Sequence, residues 1–330
     1  MKPLSLMLLV ALGVASLELA ARAQDRYPSR PVKILVPYGP GGATDIAARI
    51  IGEHLRDILG QGFYVENKPG GYGILAIEDM ARAKPDGYTL LVGNVSTNAI
   101  TPVLFKSKLK INYERDVVPV MRLVDVPAFL LVTTTNFAPR TVPELIDTIK
   151  KNPGRVRYGT VGVGSYPDYD MALFAKRAGN LELTGIPNRN GAAGVILDMV
   201  AGDSQSAFLN VASTAPMIRA GKLRALAIVN HARLPEFPDV PTMEEVGFPD
   251  VGTIAWQGLF APAGTPKQIL ERIHNAATAA MQTPAARKVF AEQNFNIVPS
   301  RSAEEAKPWL AQEISTWTRI TQEVKIEVPD

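Results

Sequence analysis

The chain has no cysteine in its 330 residues and only three histidines, His54, His231 and His274. Without cysteine there are no disulfides, thiolate nucleophiles, cysteine-ligated zinc sites or iron–sulfur clusters. Each histidine sits in a helical or loop context with no second ligand at metal spacing, so all three read as surface residues and no metal is expected. Aromatic residues make up 7% of the chain, no block of basic residues occurs, and the formal net charge is only +3. That balance excludes a nucleic-acid binder, which needs a basic patch or stripe. Beyond the extreme N-terminus no long apolar run occurs, so no membrane span is expected there.

What is present begins with an export signal. Lys2 is its positive start, residues 4–17 are mostly apolar, and Ala21-Arg22-Ala23 has the small-x-small form of a cleavage site. The apolar run is shorter than the ~20 residues of a spanning helix and Glu18 interrupts it. Residues 1–23 are therefore expected to be a signal peptide cleaved after Ala23. The remaining chain is long enough for two domains.

Strands and amphipathic stretches then alternate. Residues 32–36 read as a strand and 37–44 as a Gly-rich turn. Ile46, Ala47, Ile50, Ile51, Leu55, Ile58 and Leu59 recur at helical spacing until Gly60. Strands at 63–65 and 88–92 around a helix at 74–83 complete βαβαβ, the signature of a parallel sheet with helices on both faces. The pattern repeats with strands at 155–159, 181–185, 206–209 and 223–229 and helices at 143–151, 168–178, 191–200 and 214–220. Pro235, Pro238, Pro241 and Pro249 mark 231–252 as a crossing segment at the surface. A strand at 256–260 and helices at 266–281 and 303–324 close the chain. The stripe of Trp309, Leu310, Ile314, Trp317 and Ile320 on the last helix reads as core. The fold class is α/β, with two doubly wound units.

Two segments carry chemistry. Pro37-Tyr38-Gly39-Pro40-Gly41-Gly42-Ala43-Thr44-Asp45 joins a strand's C-terminal end to a helix start, where open α/β sheets bind ligands. Unpaired N–H groups and the positive end of the helix dipole favour an anion there, and glycines let it approach the backbone. The segment lacks the Lys-Ser/Thr ending of a Walker A loop and the spacing of a Rossmann fingerprint. Gly159-Thr160-Val161-Gly162-Val163-Gly164-Ser165 is a second such loop, with Pro167 suited to the following helix start. Singly, each also reads as a tight turn, the first capped by Thr44 or Asp45. Two of them facing across a cleft can donate N–H groups to one carboxylate. Enzyme readings fare worse: Ser165 has no histidine in a triad-like context, and Gly162-Val163-Gly164-Ser165 is not a nucleophile elbow. No obvious glycosidase-type carboxylate pair occurs. A hydrolase using Asp45 or Asp168 is the weakest reading, and no cofactor is expected.

Further segments, in order along nearly the whole mature chain, carry a family resemblance. They are Tyr27-Pro28-Ser29-Arg30-Pro31, the Pro37 to Asp45 loop, Val65-Glu66-Asn67-Lys68-Pro69-Gly70 and Lys84-Pro85-Asp86-Gly87-Tyr88-Thr89-Leu90. Later come Ile218-Arg219-Ala220-Gly221-Lys222-Leu223-Arg224-Ala225-Leu226-Ala227, Pro238-Asp239-Val240-Pro241-Thr242 and Gly258-Leu259-Phe260-Ala261-Pro262-Ala263-Gly264-Thr265-Pro266. Together they resemble the Bug-type solute receptors of tripartite tricarboxylate transporters. The resemblance implies a two-lobed periplasmic binding protein fold, type II-like, with two crossing strands as hinge. Lobe 1 would comprise 24–127 and 253–330, and lobe 2 would comprise 128–252. It further implies a periplasmic, monomeric, non-enzymatic receptor for a small organic acid, with membrane permease subunits as partners. A sensory or scavenging receptor presenting its ligand to another partner is the alternative.

Carried over residue by residue, the ligand site comprises Gly41, Gly42, Ala43, Thr44 and Asp45 from the first loop and Gly162, Gly164 and Ser165 from the second, closing as a pincer on a carboxylate. Thr97 and Asn98 would meet the ligand's far end, and Asn210 matches a polar cleft position. Tyr38 and Trp256 either line the cleft, selecting flat or aliphatic ligands, or belong to the core. Departures leave the ligand open. Tyr166-Pro167-Asp168-Tyr169-Asp170 stands where the family carries small residues and histidine, and two carboxylates there weaken an anion site unless they point away or hold a ligand amine. Leu209-Asn210 replaces an Asp-Asn pair. Asn188-Arg189-Asn190 replaces Tyr-Lys-Gly, so that Arg189 either takes over a carboxylate contact through its fork or is solvated.

Overall fold

A computed structural model describes residues 27–188, 190–298 and 300–327. The export signal and Arg189 lie outside the described residues.

The first half of the chain folds as its periodicity dictates. The strand β1 (Val32–Val36) is almost wholly buried. The helix α1 (Ala43–Leu59) turns Ala47, Ile50, Ile51 and Leu55 inward and ends at Gly60, whose φ of 73° suits a residue without Cβ. The strands β2 (Phe63–Asn67) and β3 (Thr89–Asn94), with α2 (Ile74–Ala81) between them, both pair parallel to β1.

The stretch after β3, where periodicity suggests no element, holds four. Beyond a π-type turn at Ser96–Ile100 come α3 (Thr101–Leu104) and α4 (Tyr113–Asp116). Then follow β4 (Val117–Val126) and β5 (Ala128–Thr133), separated by Pro127 alone. Prolines argue against reading strands here, since proline gives no N–H to the ladder. The sheet accommodates Pro119 opposite Phe260, at a shift of register.

The chain continues through α5 (Val142–Lys151), β6 (Arg157–Thr160), α6 (Tyr166–Arg177), β7 (Thr184–Pro187), α7 (Gly191–Ala201), β8 (Ser206–Asn210), α8 (Val211–Arg219) and β9 (Leu223–Val229). β7 falls later than the expected 181–185, because Leu181 and Leu183 pack on the core from the preceding loop. Residues 230–254 form no named strand and make one isolated bridge, Ile228 to Thr242. They lead into β10 (Ala255–Pro262), followed by α9 (Lys267–Gln282), α10 (Pro284–Glu292), β11 (Asn296–Ile297) and α11 (Ala306–Glu323).

Two mixed sheets result, one in each lobe: six strands ordered β11-β4-β10-β3-β1-β2 and five ordered β7-β6-β8-β5-β9. The parallel winding expected throughout holds for β1 with β2 and β3 and for β6 with β7 and β8. The strands that carry the chain between sheets run antiparallel to their neighbours: β4 leads out, β10 leads back, and they pair with each other. β5 is likewise antiparallel to β8 and β9.

The lobes also touch through α6. Its Tyr166 and Tyr169 join an apolar cluster of the first lobe, with Tyr169 edge-on to Trp317 of α11 at 5.8 Å. Trp256 belongs to the same cluster and is only 1% exposed, so it is core and not cleft lining. Its Nε1 donates to Glu313 at 2.8 Å and its ring meets Trp309 edge-on at 4.7 Å.

Candidate functional site

Residues at or just beyond the C-terminal ends of β1, β3, β6, β7 and β8 enclose two chambers between the lobes, joined at Tyr38 and Val161. The inner chamber is small, about 40 Å³. There Gly42, Ala43 and Thr44 at the start of α1 face Gly191 and Ala192 at the start of α7, among Asn94, Tyr166, Asn210 and Gln257. The outer chamber, about 450 Å³, is bounded by the Gly70 to Gly73 turn, Phe105 and the second Gly-rich loop.

The lining of the inner chamber is suited to a negative group. Gly42 caps α1 without a side-chain hydrogen bond, and the amides of Ala43 and Thr44 meet no acceptor among the described residues. The start of α7 also lacks a side-chain cap bond. Two helix dipoles thus present positive ends to one space. Among the described residues no charged side chain lines either chamber, and no His/Asp/Glu cluster suited to a metal occurs.

Asp45 and Gly41 face neither chamber. The Asp45 carboxylate accepts from the Gly41 amide at 3.0 Å, from Arg49 at 3.0 and 2.9 Å, and from Asn67 Nδ2 at 2.9 Å. Burial pushes its pKa up, but these donors outweigh burial and hold it below the usual range. Asp45 shapes the turn, leaving the amides beyond Gly41 to face the chamber.

Thr97 and Asn98 are 1% and 0% exposed and line neither chamber. Asn98 donates to the Tyr113 hydroxyl at 2.8 Å and accepts from Thr97 Oγ1 at 2.7 Å. The Thr97 amide donates to Asn94 Oδ1 at 3.2 Å, so this pair positions Asn94. The groups of this segment that reach the chambers are Asn94 and Ser96. Tyr38 faces both chambers and donates to Asn94 Oδ1 at 3.0 Å. Burial raises its phenol to about 12, partly offset by hydrogen bonding with Asn94, Ser96 and Thr97.

The second loop does not mirror the first. Gly162, Gly164 and Ser165 line the outer chamber, and the start of α7 takes the position opposite Gly42. The amides around the start of α6 are already engaged. Ser165 N donates to Gly162 O, Gly164 N to Asp168 Oδ2 at 2.8 Å, and Tyr166 N crosses the lobes to Ser96 Oγ at 3.1 Å; Pro167 has none. Asp168 sits four residues after Gly164 as Asp45 does after Gly41, and it ties back the same amide. It also accepts from Tyr158 at 2.7 Å; burial raises its pKa, partly offset by these two bonds. Asp170 accepts from the Thr253 amide at 3.0 Å and hydroxyl at 2.7 Å. Both carboxylates thus point away from the chambers, and neither faces a ligand amine.

Asn210 lines the inner chamber while its Oδ1 caps α8, accepting from Ser213 N at 2.9 Å. Gln257, 2% exposed, lines it too, and its Oε1 is buried without a hydrogen-bond partner among the described residues. Turned about its last torsion the amide presents NH2 instead, a donor for an anion. Nothing local in the sequence marks Gln257, whereas the glycines around Tyr72 do signal an unusual turn.

A family model described as "Tripartite tricarboxylate transporter family receptor" matches residues 47–326. The chain is 31% identical over 319 residues to Protein BugT of Bordetella pertussis, covering 96% of this chain and 97% of that one. It is similar to MatC from Rhodopseudomonas palustris, solved with bound malate, at 30% identity and a TM-score of 0.82, covering 89% of this chain and 99% of that one. It is also similar to R. palustris Rpa4515, solved with adipate, at 27% identity and a TM-score of 0.86, covering 91% and 99%.

Proposed function

This chain belongs to the tripartite tricarboxylate transporter receptor family, and from that premise we propose that it captures a small organic acid by its carboxylate in the inner chamber and delivers it, from the periplasm, to the permease subunits of such a transporter. The carrying observation is the meeting of two helix starts without side-chain cap bonds, α1 and α7, in a chamber lined by neutral groups among the described residues. A carboxylate there gains charge-assisted hydrogen bonds from backbone amides, roughly twice as strong as neutral ones. MatC with malate and Rpa4515 with adipate support an acid as the ligand class.

The protein acts as a monomer of two lobes, 24–127 with 253–330 and 128–252, hinged where the chain crosses. Ligand favours closure because it contacts both lobes at once. Capture without turnover fits the side chains present: no histidine lines either chamber among the described residues, and Ser165 Oγ pairs with Thr160 Oγ1 at 2.9 Å. A leader cleaved after Ala23 accounts for delivery to the periplasm.

Gly42→Asp tests the reading. Gly42 has an ordinary φ of −84° and an added Cβ would meet nothing within 4 Å, so the variant folds. Two carboxylates ~4 Å apart at an effective dielectric constant of ~20 repel by about 4 kcal/mol, roughly a thousandfold in affinity. A panel of malate, adipate and benzoate should raise the melting temperature of the parent with concentration, and leave that of the variant unmoved. Equal shifts in both proteins would remove the start of α1 from the site.

A further inference from the structure

We propose that the outer chamber selects an acid with a flat apolar body, an aryl monocarboxylate, over an acid with a second carboxylate. This rests on the capture reading above, and concerns what lies beyond the captured carboxylate.

The wall carrying the inference is the Gly70-Gly71-Tyr72-Gly73 turn. All four residues have positive φ, 112°, 57°, 57° and 85°. For glycine this is ordinary; for tyrosine it is a strained conformation that persists only where surroundings enforce it. Thr101 Oγ1 enforces it, donating to the Tyr72 carbonyl at 2.8 Å. The result stacks Tyr72 on Phe105, centroids 4.2 Å apart and planes 16° from parallel. Phe105 is 2% exposed and backs the stack, while half-buried Tyr72 lines the chamber. A Cβ on Gly162 of the opposite lobe would stand 3.9 Å from the Tyr72 ring, so this ring spans the cleft. Tyr38, Val161, Val163 and Pro187 complete an apolar lining.

A second carboxylate finds little here. No charged side chain lines the chamber among the described residues. Asn188 is committed at both ends, donating to Asp198 at 2.8 Å and accepting from Asn190 N at 2.9 Å. The Thr101 hydroxyl proton goes to Tyr72 and Ser165 is paired with Thr160. Desolvating an anion against such a wall is costly, whereas an aromatic ring gains stacking and apolar burial. At about 450 Å³ the chamber has room for a substituted ring.

Titration calorimetry on the mature chain with benzoate, phenylacetate, malate and adipate tests this, alongside Tyr72→Gly. Glycine takes the left-handed conformation freely, so the variant loses the ring without losing the turn. The inference predicts that benzoate or phenylacetate binds at least tenfold more tightly than either diacid. Tyr72→Gly should weaken the aryl acids about tenfold and the diacids less than twofold. Should malate or adipate bind more tightly than both aryl acids, or Tyr72→Gly weaken all four alike, the inference falls and the capture reading stands. Should none of the four bind, both fall together.

Discussion

Replacing Asp170 by asparagine should flatten the dependence of stability on pH. Asp170 is 1% exposed and takes both the amide and the hydroxyl of Thr253, on the segment returning to β10. Burial pushes its pKa from 3.8 to about 7, against those two bonds. A carboxyl with a higher pKa folded than unfolded binds its proton more tightly in the native state. Its contribution is therefore fully present below the unfolded value and is lost as pH rises through about 7. At ~1.36 kcal/mol per unit the whole shift is worth roughly 4 kcal/mol, of which about 2–3 kcal/mol is lost between about pH 5 and pH 8. Burial raises Asp125, Asp168 and Glu313 as well, which adds in the same direction. Asp45, Asp116, Glu245, Asp250, Glu304 and Glu323 are lowered, so their contributions are lost only as pH falls below their unfolded values, outside this window. Denaturant unfolding of the parent should show a stability loss of about 2–3 kcal/mol or more across the window, roughly 3–5 °C in melting temperature for a chain of this length. Asp170→Asn should lose clearly less and exceed the parent near pH 8. Parallel pH profiles for the two proteins, or a parent more stable near pH 8 than near pH 5, would refute the reasoning.

Asn98→Ala separates support from contact. It leaves the buried Tyr113 hydroxyl without its donor, at about 1–3 kcal/mol of stability in denaturant unfolding. Carboxylate affinity by calorimetry should change less than twofold, since Asn98 lines neither chamber. Gly42→Asp, by contrast, should unfold at the same denaturant concentration as the parent or slightly higher, because aspartate is a better helix cap than glycine by a few tenths of a kcal/mol.

Residues with strong periodicity were legible in the sequence. Ile50, Ile51 and Leu55 mark the buried face of α1, and the parallel β1–β3 unit follows from the alternation of strand and helix. β4 and β5 were not legible as strands, because Pro119 and Pro127 interrupt a run whose place in two different sheets is decided by pairing with distant β10 and β8. At the site, glycine-rich loops at helix starts announce an anion. What they cannot announce is which amides stay free. That depends on Asp45 and Asp168 reaching back to Gly41 and Gly164, and on Ser96 reaching Tyr166 from the other lobe. Thr97 and Asn98 are expected at the ligand's far end through the family resemblance, and in the fold they turn inward to hold Asn94. Gln257 lies on a buried strand and enters the chamber only through the register of β10 against β3.

The most direct test of carboxylate capture by neutral donors compares an acid with its own amide. Calorimetric titration of the mature chain with benzoate against benzamide, and with adipate against adipamide, isolates the charge at nearly constant shape. Backbone amides aimed at a carboxylate favour it over a neutral acceptor by about 1 kcal/mol per hydrogen bond. The account therefore predicts that in each pair where the acid binds, the amide binds roughly a hundredfold more weakly. Equal binding of acid and amide would contradict it.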